Sequence, residues 1–236
     1  GISVAMNAAP TIKRVCQEMG GKSAFIIGDG ADLQAAIKYG VDNVMLNTGQ
    51  TCDALTRMLI PRSDYQEAID IATKYATEHV VGDPNSQETT VGPLASMTQR
   101  ERVADYIQQG IDSGAKLLVG GNDFPQGLDN GAYISPTLFA DVDREMVIAK
   151  EEIFGPVLCM MAYDSMEEAI EIANELEYGL SSAVWAENNE EAIKIAHQLR
   201  AGQCFIQGSY FRLNAPFGGY KGSGNGREWG EAGLSE

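Results

Sequence analysis

A cysteine in a turn is the first candidate for chemistry. Cys52 closes Gly49-Gln50-Thr51-Cys52, between an apolar helical run and the strand-like Met58-Leu59-Ile60. A turn presents a side chain rather than packing it, so Cys52 reads as a possible nucleophile. The competing reading is a small buried hydrophobe, which is right for most cysteines. That second reading suits Cys159, inside Val157-Leu158-Cys159-Met160, and Cys204, inside a strand-like run. A free thiol ionises near about pH 8.5, so at neutral pH it needs help. Histidine is the usual helper, and the chain has two, His79 and His197. His79 falls on the helical face of Tyr65, Ile69, Ala72 and Ala76, as a satisfied, partly buried side chain would; His197 is uninformative. A Cys–His pair is poorly supported. What remains is activation by backbone dipoles, by a cofactor's positive charge, or by a carboxylate acting through water.

Glu18 is the carboxylate candidate. It ends a strand-like stretch and runs into Met19-Gly20-Gly21-Lys22, where paired glycines allow close backbone approach. By itself it could equally be a solvent-facing Glu before a turn. Glu151-Glu152-Ile153-Phe154-Gly155-Pro156 forms a rigid acidic corner; the bland reading is an exposed acidic turn with Phe154 in the core. The glycine-dense Pro216-Phe217-Gly218-Gly219-Tyr220-Lys221 and the residues up to Glu228 invite a phosphate-loop reading, which fails: no βαβ unit surrounds them and too little chain follows.

Alternating elements position these residues. Residues 23–27 read as a strand. Leu33, Ala36, Ile37, Gly40, Val41, Val44 and Met45 then recur at the helical period. Met58-Leu59-Ile60 is the next strand, closed by Pro61. Three capping boxes predict helix starts: Ser63 with Gln66, Thr98 with Glu101, and Ser165 with Glu168. Further strands are predicted at 116–119, 156–162, 183–185 and 204–207, and a helix after Asn189. Residues 82–95 and 122–133 read as loops. Strand–helix–strand order predicts an α/β fold with parallel pairing and crossover helices.

Bulk properties narrow the partners. The 236 residues, 44% of them hydrophobic, suffice for one large domain or one domain with an appendage. A net charge of −16, from 33 acidic and 17 basic residues, repels nucleic acid and anionic membrane surfaces. No apolar run is long enough for a bilayer span. Scattered cysteines without a CxxC argue against a metal site and suit a reducing compartment, which points weakly to the cytoplasm. The start at Gly1, with no Met and no signal pattern, reads as an internal cut.

Together the pieces resemble the aldehyde dehydrogenase superfamily. The resemblance rests on Glu18-Met19-Gly20-Gly21-Lys22-Ser23, Asn47-Thr48-Gly49-Gln50-Thr51-Cys52, Glu151-Glu152-Ile153-Phe154-Gly155-Pro156, and Pro216-Phe217-Gly218-Gly219-Tyr220-Lys221 followed by Ser223-Gly224 and Gly226-Arg227-Glu228. Met19 departs from the family's usual Leu. The resemblance implies an α/β catalytic domain of the aldehyde dehydrogenase type, a parallel sheet with crossover helices on both faces. It divides the chain into 1–20, the tail of a cofactor-binding domain; 21–222, the catalytic domain; and 223–236, leading toward an oligomerisation strand. It implies an enzyme using NAD or NADP to oxidise an aldehyde to a carboxylic acid, through a thiohemiacetal and a thioester on Cys52. Glu18 would be the base that activates water for hydrolysis, a step that sets this branch apart from relatives that pass the acyl group to coenzyme A. Glu152 would bond the nicotinamide ribose and Phe154 would pack near its ring. Asn47 and Gly49 would shape the thiol site, Phe211 and Phe217 would line a substrate tunnel, and Glu228 would be a buried acid behind the base. The family's oxyanion-hole Asn and most of its cofactor domain have no counterpart here. The chain therefore reads as a fragment, inactive alone, of a protein expected to be a homo-oligomer. A cofactor-independent thiol esterase using Cys52 and Glu18, or a non-catalytic role on the same fold, is the alternative.

Overall fold

The computed structural model describes residues 1–235, so the end of the predicted C-terminal segment, Glu236, lies outside the described residues. The elements in chain order are α1 (Ile2–Ala8), β1 (Gln17–Glu18), β2 (Ala24–Ile27), α2 (Leu33–Met45), β3 (Arg57–Pro61), α3 (Tyr65–Glu78), α4 (Met97–Asp112), β4 (Lys116–Val119), β5 (Thr137–Ala140), α5 (Val147–Lys150), β6 (Val157–Tyr163), α6 (Met166–Asn174), β7 (Ser181–Trp185), α7 (Asn189–Ala196), β8 (Gln203–Ile206), β9 (Gly224–Asn225) and α8 (Gly230–Leu234).

Seven strands form one sheet in the order β4-β5-β6-β3-β2-β7-β8. Every neighbouring pair is parallel except β4 with β5, which is antiparallel and shifts register between Leu117 and Val119. The purely parallel expectation is corrected at that edge. β5 itself was not predicted. The run 156–162 and the strand β7 that follows its crossover helix are not neighbours either: β3 and β2 lie between them. A crossover helix reaches over two strands as readily as one, and local sequence does not encode which.

Strand alternation sends successive side chains to opposite faces, and each face has its own core. Phe25, Ile27, Met58, Ile60, Leu138 and Met160 pack against α2 and α3. Ile26, Leu59, Phe139, Cys159, Met161 and Val184 pack against α4, α5, α6 and α7. Helices thus cover both faces, which is why the central strands are apolar without alternation. Cys159 is fully buried, as predicted; Cys204 is only partly buried, at the sheet edge.

Two of the three capping boxes do not form. Ser165 accepts from the Glu168 N–H at 3.3 Å, as predicted. The cap of α4 is Ser96, accepting from Gln99 N–H at 3.1 Å, two residues before Thr98. At α3 the cap position is Asp64 with no side-chain bond, and Gln66 instead donates to Asp70. Asp32 caps α2, a signal the periodicity reading passed over.

Candidate active site

Parallel strands put all their amino ends on one side of the sheet, and the four chemically suggestive segments lead into that side. Residues 18–23 enter β2, 47–56 enter β3, and 151–156 enter β6. These are three of the four central strands. The fourth, β7, is entered through Gly179-Leu180, against which the chain after Tyr220 folds back, with Tyr220 N–H donating to Gly179 O at 2.9 Å.

Glu18 sits in β1, paired antiparallel with Gly224 of β9, in a two-stranded sheet separate from the main one. Ser223 fixes the next residues: its hydroxyl donates to Gly20 O at 2.7 Å and accepts from Gly179 N–H at 3.0 Å. Arg57, almost fully buried, donates to Lys22 O at 3.0 Å and to the last carbonyls of α6, Ile172 O and Ala173 O. Burial pulls its pKa down to about 10. Both carboxylate oxygens of Glu18 are buried and accept no hydrogen bond. Burial first, then the charge of Glu228, lifts its pKa above the ordinary value, while Arg227 opposes. The Lys22 ammonium is likewise buried without a partner, and burial lowers its pKa.

The Gly20-Gly21 pair explains how a second carboxylate fits beside the first. A Cβ on Gly20 would collide with the Glu152 carboxylate, and one on Gly21 would stand 2.6 Å from Cys52 O. Glycine is what lets the Glu152 side chain and the Cys52 main chain close on this segment from two sides. Gly21 N–H donates to Glu152 Oε1 at 3.1 Å, and Arg102 donates to Glu152 O at 3.0 Å. Burial raises the Glu152 pKa while the Gly21 N–H holds it back.

The turn before Cys52 is held in an unusual conformation. Asn47, Thr48 and Gly49 are all left-handed, with φ of 50°, 59° and 71°. Non-glycine residues enter that region only when side chains compensate. Here Asn47 Nδ2 donates to Gln50 O at 2.9 Å, Gln50 Nε2 donates to Asn47 O at 3.2 Å, and the Thr48 hydroxyl donates to Gly92 O at 3.2 Å. A side chain at Gly49 would strike the Gly155 carbonyl, so the Cys52 turn and the Phe154 turn touch backbone to backbone. Phe154 is also left-handed, φ 60°, and is 36% exposed.

The Cys52 thiol is partly buried. Its pKa is pushed up to about 11, by burial first, then by Asp53, with smaller contributions from Glu18 and Glu152; its own backbone N–H opposes. Cys52 therefore lies within electrostatic reach of both Glu18 and Glu152. Asp53, a buried neighbour overlooked in the sequence, also acts on Tyr39. Tyr39 lines a groove of about 490 Å³ with Trp185, Phe205 and Phe211, within the size range of small-molecule sites. Phe211 and Phe217 are 6.0 Å apart by ring centroid and share Trp229, at 5.5 and 5.2 Å. Phe211 is exposed and Phe217 buried.

Glu228 departs from expectation: its backbone pairs with Phe217 in an antiparallel bridge, and the residue is exposed rather than buried. His79 is half-buried and satisfied, 3.3 Å from Asp42 and 3.1 Å from the Thr90 hydroxyl, and His197 is exposed. Neither is among the groups that act on the thiol. Among the described residues no group of three or more His, Cys, Asp or Glu could hold a metal ion, and no helix is long and apolar enough to cross a membrane. Gln99 and Arg102 escaped the sequence reading, and Ser223 and Lys22 stood in its motifs without a role. Ser223, Gln99 and Arg102 act through bonds to distant main chain, which leaves no local mark; Lys22 had only its place after the glycines.

Comparison with known proteins places the geometry in context. A model of the aldehyde dehydrogenase family matches residues 1–236. A 3-succinoylsemialdehyde-pyridine dehydrogenase from a Pseudomonas species is 52% identical over 236 residues, all of this chain and 50% of that protein. Among solved structures, a mutant aldehyde dehydrogenase C from Pseudomonas syringae in complex with NAD+ and octanal superimposes with a TM-score of 0.97 at 47% identity, over 99% of this chain and 48% of that one. An aldehyde dehydrogenase from Mycobacterium tuberculosis in complex with NAD+ gives a TM-score of 0.96 at 47% identity, with the same coverage. The chain spans about half the length of the curated relatives it matches.

Proposed function

The chain belongs to the aldehyde dehydrogenase family, and from that premise we propose that it is the catalytic half of an NAD(P)-dependent enzyme oxidising an aldehyde to a carboxylic acid, with Cys52 as nucleophile and Glu18 as general base. One observation carries the reading: a buried carboxylate with both oxygens unbonded lies in reach of a thiol at the amino ends of the central strands. Buried polar atoms are normally paired. An unpaired carboxylate beside a nucleophile is suited to accepting a proton from water.

The residues present fit a nicotinamide dinucleotide. Glu152 has one carboxylate oxygen on Gly21 N–H, leaving the other to accept from a ribose hydroxyl, and Phe154 offers an exposed ring beside it. Bound there, the dinucleotide supplies a hydride acceptor and a positive charge. The Cys52 thiol gives its proton to water, Sγ bonds to the aldehyde carbon as the carbonyl π bond opens onto oxygen, and the Cys52 N–H stabilises that oxygen as it becomes negative. Once that carbon is at the thioester level, Glu18 takes a proton from water as the water oxygen attacks. The carbon–sulfur bond breaks and the acid departs. The NAD+ and octanal of the Pseudomonas syringae neighbour support both halves of this reading.

A cofactor-free thiol esterase has no observation in its favour. Without the positive charge that a bound dinucleotide supplies, and with no histidine among the groups acting on it, a thiol lifted to about 11 stays mostly protonated at neutral pH. The test uses the full-length protein. Cys52→Ala should abolish NADH formation while NAD still binds in a fluorescence titration; activity within a few-fold of wild type would sink the assignment of Cys52.

A further inference from the structure

The two turns that meet at the site share a common support. On the thiol side, Gln50 Oε1 accepts from Ala95 N–H at 2.8 Å, and Thr48 donates to Gly92 O. On the other side, a single Gln99 amide nitrogen donates to Ile153 O at 3.2 Å and to Phe154 O at 2.8 Å. Those carbonyls belong to the two peptide planes flanking the Phe154 α-carbon. Two planes turned toward one donor are compatible with only a narrow range of backbone angles, and here the residue between them is left-handed. A non-glycine residue is held in that region only when its surroundings over-determine it, and Gln99 provides the constraint. It does so at a local cost. Gln99 is the third residue of α4, and in a capping box it would turn back to the Ser96 N–H; here its side chain reaches outward to the Phe154 turn.

Between the two anchor points runs a short continuous segment. Its far end is the first turn of α4, fixed by the Ser96 cap and by the buried Arg100, which donates to Asn122 O at 2.6 Å. The thiol turn and the Phe154 turn come from positions about a hundred residues apart, yet both are bonded to this one segment, and Gly49 rests on Gly155.

We propose that Gln50 and Gln99 are positioning residues that hold the Cys52 turn and the Glu152–Phe154 turn as one body through the segment from Gly92 to Gln99. The idea rests on the function proposed above: the body fixes the thiol relative to the cofactor's reacting ring. Neither glutamine touches the reacting atoms; each acts through main chain.

The experiment compares Gln50→Met, Gln99→Met and the double variant in the full-length protein. Methionine keeps the length of the side chain and removes its amide. Hydrogen exchange without cofactor reads the turns directly. Exchange across residues 151–155 should rise in both single variants, while exchange in 157–163 stays at the wild-type level. Single-turnover NADH formation at saturating NAD should slow about tenfold in each, the scale of a small misplacement. The double variant should be no slower than the slower single, because both substitutions release the same body. Three results would overturn the proposal: exchange at 151–155 unchanged in Gln50→Met, a double loss equal to the product of the singles, or exchange rising equally in 157–163, which marks a general structural role. A wild-type protein that does not reduce NAD would overturn the proposed function instead, and the exchange data would still judge the brace.

Discussion

At Glu18 the direction of its pKa shift sets the sign of a pH effect. A general base works in its ionised form, so deacylation should fail as pH drops through its folded pKa, which lies above the ordinary glutamate value of about 4.3. Glu228→Gln removes a charge that raises that pKa, so the acid limb of the deacylation profile should move to lower pH; Arg227→Gln should move it higher. Glu18→Gln keeps the size of the side chain and cannot take the proton. The first-turnover burst of NADH should survive while steady turnover falls about a hundredfold or more; equal loss of both would assign Glu18 to thiol activation. For Cys52, alkylation by iodoacetamide should rise about tenfold per pH unit from pH 7 to 9, since the thiolate is the reactive form. Asp53→Asn should speed it at fixed pH, because Asp53 is the main charge raising that thiol; an unchanged rate would remove Asp53 from the account. Cys52 stood out in the sequence because its turn lacks an apolar frame. Glu18 did not stand out alone, since its carboxylate is covered by the chain around Gly218 and Arg227, some two hundred positions away.

Among the elements, the start of α4 separates two readings of one stretch. Ser96-Met97-Thr98-Gln99-Arg100-Glu101 contains two overlapping capping patterns, and sequence cannot rank them. The structure puts the side-chain bond on Ser96. Ser96→Ala should cost about 1 kcal/mol of stability in urea unfolding, the usual value of a helix cap, and Thr98→Ala only a few tenths. The reverse order would restore the predicted cap. Elements with strong local patterns, such as α2, β3 and the Ser165 start of α6, were legible from periodicity and capping alone. β5 was not. Its four residues follow Pro136 and a loop-rich stretch, too short to show a period. Nor was the antiparallel edge legible: strand direction depends on the partner, and β4 meets β5 across residues 120–136.

On the scale of the whole molecule, two sheet edges and a strong charge compete. β4 and β8 each have one neighbour in the described sheet. An unpaired edge is a template for another chain. β4 is interrupted by its register shift and carries Lys116, whereas β8 has no charged residue, so β8 is the edge expected to recruit a second copy. The net charge of −16 opposes this, over a Debye length of about 8 Å at physiological salt. Association should therefore grow with salt as well as concentration, and Gln203→Lys, placing a charge on β8, should weaken it. Light scattering over both variables reads the mass. A monomeric mass at high concentration and moderate salt would show that β8 is not an interaction edge.

The strand order also bears on how the chain comes off the ribosome. β2 and β3 are adjacent in sequence and in the sheet, but their outer neighbours are β7 and β6. Until Val157 and the residues after it have been made, a parallel pair joined by α2, with two bare apolar edges, must wait beside an unfinished chain. The interval between Pro61 and Val157 is nearly a hundred residues, about 5–20 s at ordinary rates of synthesis. The segments that hold Glu18 and Cys52 thus lead into the two strands exposed longest during translation. Slowing synthesis within that interval should shift newly made protein from the soluble to the aggregated fraction, while slowing it after β8 should not.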